Sequence, residues 1–126
     1  MSVSIDGTNG ITFNNSSTQA QSAGLGTSAT AQTWQNMTGS RALGTAYTNS
    51  TGYPIMISVS ASGSGGYINA ILTGYVGGVA IQTNGSNSGT AGGTAYPSVS
   101  YIVPNGLTYQ VNNAGGASLS TWFELR

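Results

Sequence analysis

Residues 54–61 read PIMISVSA. In an extended chain Ile55, Ile57 and Val59 fall on one side and Met56, Ser58 and Ser60 on the other, the period of two that marks a strand with one face in a core. Working outward, the same alternation recurs at 33–38 (TWQNMT), 45–49 (TAYTN), 67–76 (YINAILTGYV), 79–83 (VAIQT), 96–103 (YPSVSYIV), 107–113 (LTYQVNN) and 119–126 (LSTWFELR). No window carries apolar residues at helical spacing beyond chance. The chain is therefore all-β, and eight short strands suit an antiparallel β-sandwich of jelly-roll type.

Three connections carry specific turn chemistry. Gly77-Gly78 fits a two-residue hairpin loop with positive φ, which predicts the pairs Val76–Val79, Tyr75–Ala80 and Gly74–Ile81. Pro104-Asn105-Gly106 suits a type I turn closed by a glycine bulge, and residues 50–54 (STGYP) give the third tight turn. The connections at 39–44, 62–66, 84–95 and 114–118 are longer and rich in Gly, Ser and Asn. With successive strands alternating in direction, those four are expected at the end of the domain remote from the N-terminal segment, and the tight turns at the near end.

Composition narrows the function. The 126 residues include two basic and two acidic side chains, 3 % in all, with no histidine and no cysteine. A typical domain has about 25 % charged residues, so hydroxyls and amides must supply the solubility that charge normally gives. Disulfides and thiolate metal sites are excluded, the commonest general base is missing, and no metal or cofactor is expected. Two isolated arginines give no basic stripe for nucleic acid. No apolar run approaches the roughly 18 residues of a membrane span, and MSVSIDG lacks the basic start and apolar core of a secretion signal, so the chain is expected to be made in a cytoplasm.

Hydrolytic chemistry finds no footing. Asp6 and Glu124, the two acids, stand at opposite ends of the sequence, where a solvated turn and a strand end are the simpler readings, and a nucleophilic triad has no base. Arg41 is read as a structural clamp on backbone carbonyls, a carboxylate or a tryptophan face; contact with Glu124 would conflict with a remote position for the 39–44 connection. Trp34, Tyr47, Tyr109 and Trp122 lie within strands, where packing in a core or subunit interface is the default. Tyr67 and Tyr96 flank the long connections, and with Asn69, Asn84 and Asn87 they offer an apolar plate ringed by amides, the composition of a neutral-sugar site. Residues 7–24 (GTNGITFNNSSTQAQSAG) begin like a strand at Ile11 and Phe13 and then dissolve into small polar residues. So few anchors do not offset the cost of ordering the backbone, roughly 1 to 2 kcal/mol per residue, so the segment needs partners from elsewhere.

The stretches GTNGITFNNSSTQAQ, TWQNMTGSRALGTAYTNSTGYPIMISVS, YIVPNGLTYQV and LSTWFELR resemble the C-terminal part of bacteriophage tail fibre proteins. The first resembles shaft-end segments of the G-I-T-F type, the second the start of a compact β head and the last its final strand. The resemblance spans nearly the whole chain and is weakest over 63–95. It implies a stalk over 1–30 and a receptor-binding β-sandwich head over 31–126, with two further identical subunits completing a homotrimer in the virion. Three stalks would bury Ile5, Ile11 and Phe13 about a shared axis. Arg41, Trp34 and Trp122 are then structural, and Tyr67, Asn69, Asn84, Asn87 and Tyr96 are receptor-binding candidates. The expected action is non-catalytic adsorption to a bacterial surface polysaccharide or outer-membrane protein, without membrane insertion. The alternative is a purely structural trimerisation or capping module. Iron held by His-x-His repeats, known in some fibre tips, cannot apply to a chain without histidine.

Overall fold

The computed structural model describes residues 4–6, 10–12, 18–19, 32–65 and 68–126; the candidates Phe13 and Tyr67 lie outside them. The chain divides into two compact units, Met1–Gln32 and Thr33–Arg126. In the first, β1 (Ser4–Asp6), β2 (Gly10–Thr12) and β3 (Thr18–Gln19) form a small antiparallel sheet in that order. Ile5 stands opposite Ile11, and Ile11 opposite Gln19.

The second unit is built from β4 (Trp34–Asn36), β5 (Tyr47–Thr48), β6 (Ile55–Ser64), β7 (Asn69–Val76), β8 (Val79–Asn87), β9 (Thr94–Ala95), β10 (Ser98–Val103), β11 (Thr108–Ala114) and β12 (Ser118–Leu125), and no helix occurs among the described residues. Sheet I runs β10-β6-β12-β4, with β9 pairing the end of β6, and sheet II runs β5-β11-β7-β8; every pairing is antiparallel. The two sheets form a β-sandwich. Its core takes inward-facing residues from five of the strands: Ile55, Ile57, Val59 and Ala61 from β6, Val99, Tyr101 and Val103 from β10, Ala70 and Leu72 from β7, Tyr109 and Val111 from β11, and Trp122 from β12. At roughly 1.5 to 3 kcal/mol for each large apolar side chain buried, this burial is what drives the sheets together.

The hairpin between β7 and β8 departs from its expected register. Val76 faces Val79 and Tyr75 faces Ala80, but Gly74 faces Gln82 rather than Ile81. Ile81 is the extra residue of a β-bulge, and because side chains alternate, one extra residue exchanges the two faces of everything that follows. Asn87, Gly85 and Thr83 thereby share the outer face with Asn69, Ile71 and Thr73. Gln82, Asn84 and Ser86 turn instead towards β10, the edge strand of sheet I. There Gln82 Oε1 accepts from Ser100 N at 2.9 Å, Asn84 Oδ1 from Ser98 N at 3.2 Å and Ser86 Oγ from Tyr96 N at 3.0 Å. Three side chains thus stand in for the carbonyls of a neighbouring strand. The strand expected over 79–83 is in this way prolonged to Asn87, and the connection after it is shorter than 84–95 and carries β9.

The tight turns at 50–54, 77–78 and 104–106 fall at one end, where Thr33 and Arg126 exchange two backbone hydrogen bonds of 3.1 Å. Buried Asn49 clasps two of them together. Its Nδ2 donates to Tyr53 O and Val103 O, while its Oδ1 accepts from Thr51 N and Thr51 Oγ1, so its amide is saturated. The far ends of β6, β8 and β11, with residues 88–93 and 115–117, fall at the opposite end, but 39–44 does not. β4 has three residues and β5 two, so the chain leaves sheet I midway and crosses the open side of the sandwich. Met37 N donates to Trp122 O at 2.8 Å, and Gly44 N to Val111 O at 2.8 Å. This lateral strap, rather than a remote loop, carries Arg41.

Candidate functional site

At the end remote from Thr33, the bulge sets Asn69 directly opposite Asn87, both exposed. Gly85 beside them leaves the sheet floor bare, with Ile71 Cγ1 and Asn69 Oδ1 the nearest side-chain atoms to where a β-carbon would stand, at 3.6 and 3.8 Å. Tyr96 is 70 % exposed, the most open large apolar side chain of the described residues, and its backbone is tied to Ser86, the neighbour of Asn87. Asn84, by contrast, has its carbonyl oxygen committed to Ser98 N. Of the sequence candidates, then, Asn69 and Asn87 are exposed as opposite partners on the outer face of sheet II, Tyr96 is exposed beside Ser86, whose side chain turns the other way, and Asn84 closes the sandwich through Ser98 N.

The ground beneath this region is fixed. Ser88 is buried, exchanging hydrogen bonds with the backbone of Ile68 through its own N–H at 2.9 Å and its Oγ at 3.0 Å. Gly92 N donates to Gly65 O at 3.0 Å, docking one connection on the other. Gly115, with φ +67°, packs so tightly on the carbonyl of Asn69 that any β-carbon would overlap it. Two neighbouring neutral amides above such a base can exchange hydrogen bonds with a polyhydroxylated ligand, and an exposed phenol ring can cover an apolar face of one.

The charged side chains of the second unit lie elsewhere and bind one another. Glu124 is fully buried on the inner face of β12, where its carboxylate accepts five hydrogen bonds. Oε1 takes Arg41 Nε at 2.8 Å, Tyr109 OH at 2.8 Å and Trp122 Nε1 at 3.1 Å; Oε2 takes Arg126 Nη1 at 2.8 Å and Arg41 Nη2 at 3.3 Å. Arg41 lies 4.4 Å over the ring of Tyr47, which in turn meets Tyr109 and Trp122 at centroid distances of 5.8 and 6.0 Å. The knot ties the strap, sheet I and sheet II together. Both carboxylate oxygens are occupied, which leaves no lone pair directed at a substrate. A strand end was legible in the sequence; burial was not, although Glu124 follows Trp122 at the core period.

Burial pushes the Glu124 carboxyl up, but the hydrogen bonds from Arg41 and then Tyr109 outweigh it and hold the group below its ordinary value. Burial, followed by the bond to Glu124, pushes the Tyr109 phenol up to about 12. A lowered carboxyl contributes stability that is present above its unfolded value, about 4.3, and is lost as pH falls through the folded one. A raised phenol contributes stability that is lost as pH rises from about 10 in the unfolded chain to about 12 in the folded one. No lysine, histidine or cysteine titrates between them. The second unit is therefore expected to show a flat stability plateau from about pH 5 to 9 with losses only outside it, read by fluorescence of Trp34 and Trp122, the chain's two tryptophans. A midpoint that moved steadily across the plateau would refute this.

No protein-family model and no curated protein matches the chain. Among the other sequence candidates, Trp122 is wholly buried in the core whereas Trp34 is 52 % exposed on the outer face of sheet I. Ile5 and Ile11 stand opposite each other in β1 and β2.

Proposed function

We propose that the chain is the distal part of a bacteriophage tail fibre, a homotrimer whose jelly-roll heads adsorb without catalysis to a neutral glycan of the bacterial surface. The observation that carries the reading is the polarised head. The end bearing Thr33 holds the tight turns, while the opposite end presents Asn69, Asn87 and Tyr96 on a hydrogen-bonded base. The strand orders β10-β6-β12-β4 and β5-β11-β7-β8 support a jelly roll, an architecture shared by lectins and capsid proteins. The likeness of the quoted segments to tail fibre C-termini supports the assembly. The saturation of Glu124, the head's sole carboxylic side chain, supports binding over hydrolysis. Weak contacts made by three heads at once, on several fibres, add up to firm attachment.

The test is adsorption of labelled full chain to a panel of bacterial envelopes and to an array of neutral glycans. Binding is expected on at least one surface, and the triple variant Asn69→Ala/Asn87→Ala/Tyr96→Ala is expected to lose at least about tenfold in apparent affinity with an unchanged melting temperature. Binding to no surface by a folded trimer would overturn adsorption and leave a capping module. Release of reducing sugar would overturn the non-catalytic reading.

A further inference from the structure

The outward face of sheet I changes character along its length. Ile102 stands opposite Met56, Met56 opposite Leu125, and Leu125 opposite Trp34, so one apolar row crosses all four strands next to the end that bears Thr33. Ile102 is 50 % exposed and Trp34 52 %. In the next row Phe123 faces Ser58, and together with Trp34 they line an open hollow of about 300 Å³. Farther along, the same face turns to hydroxyls that satisfy each other: Ser58 with Ser100 at 3.1 Å, Ser60 with Thr121 at 2.7 Å and Ser62 with Ser120 at 3.0 Å. The hydroxyl part is at ease in water; the apolar row is not.

We infer that this row is the surface through which one head packs against the next copy of the chain. The inference rests on the trimeric reading above and adds to it the face that makes the contact. Three observations select a second copy as the occupant. Trp34 directly follows Thr33, the residue at which the second unit joins residues 1–32, so copies associated through that segment carry their rows within a short tether of one another, at high effective concentration. The face bears no charge, and the head's charged side chains are turned inward on Glu124, so identical copies meet without the repulsion that symmetry imposes on like charges. Finally, the hollow between Trp34 and Phe123 gives the row relief into which a neighbour's side chain can seat, as interface cores require.

The experiment uses the full chain. Sedimentation equilibrium of the unmodified protein is expected to show a trimer. Ile102→Asn changes an outward side chain on an edge strand, Trp34→Ala provides a second probe at the other end of the row, and Ile81→Asn is the control, since Ile81 is 47 % exposed but lies on β8. Each row variant is expected to raise the dissociation constant at least about tenfold, with the control unchanged. A trimer whose dissociation neither row variant alters overturns the proposed face and leaves the trimer standing. A monomer at micromolar concentration overturns both. Because the chain has no cysteine, Ile102→Cys offers one thiol for maleimide labelling. Protection that vanishes as the trimer dissociates supports the inference, whereas protection that survives in the monomer puts the same copy's residues 1–32 on the row and overturns it.

Discussion

Glu124→Ala is expected to lower the unfolding free energy of the head by about 3 to 5 kcal/mol, the range seen when one partner of a buried ion pair is removed. The loss has several parts. Two arginines are left partly buried without their anion, Tyr109 OH and Trp122 Nε1 lose an acceptor, and the strap loses its anchor to sheet I. Glu124→Gln fills the same volume and keeps an acceptor oxygen but forfeits the charge, so it should fall between the parent and the alanine variant. Urea unfolding followed by tryptophan fluorescence reads the effect directly. A change below about 1 kcal/mol would place the contact in the class of exposed ion pairs and refute the knot as a stabilising element. Removal of Arg41 is a weaker test, because Arg126 still holds Oε2.

Gly74→Ala should cost about 3 kcal/mol, at the upper end for overpacking a core. Tyr101 reaches from β10 across the sandwich, lays its ring on the backbone of Gly74 and donates its hydroxyl to Gln110 O at 3.0 Å. A β-carbon at Gly74 would overlap the ring, whose far end is pinned, so neither side can yield cheaply. The double variant Gly74→Ala/Tyr101→Leu should therefore be destabilised by less than the sum of the two single changes, since the second removes what the first collides with. Additive losses in a denaturation cycle would show that the ring does not rest where the structure places it.

The strands were legible because PIMISVSA and its neighbours alternate cleanly and the Gly77-Gly78 and Pro-Asn-Gly turns announce themselves. What stayed hidden has specific physical causes. Nothing in VAIQTNGSN marks Ile81 as an extra residue, because a bulge is decided by what the two faces must meet, here an edge strand in need of acceptors on one side. Without the bulge, Asn69 would face Ser86, and Asn87 would point the other way. The candidate pair was therefore visible as two amides but not as neighbours, and the structural engagement of Asn84 was not visible at all. Glu124 read as a strand end because an isolated carboxylate usually seeks water. Its alternation with Trp122, in a chain whose two basic side chains both lie in the same unit, was the available signal. The strap was misplaced because strand direction says nothing of strand length, and β4 and β5 are too short to carry the chain to the far end.

The three side chains that β8 lends to β10 have a consequence for how this protein behaves when crowded. An uncapped edge invites another chain to add itself as one more strand, and most sheets deter this with lysine or some other charge planted on the rim. A nearly chargeless molecule has no such deterrent. By occupying the amide hydrogens of Ser98, Ser100 and Tyr96 from within, glutamine, asparagine and serine block this rim against open-ended polymerisation, the first step towards amyloid, while keeping the surface neutral.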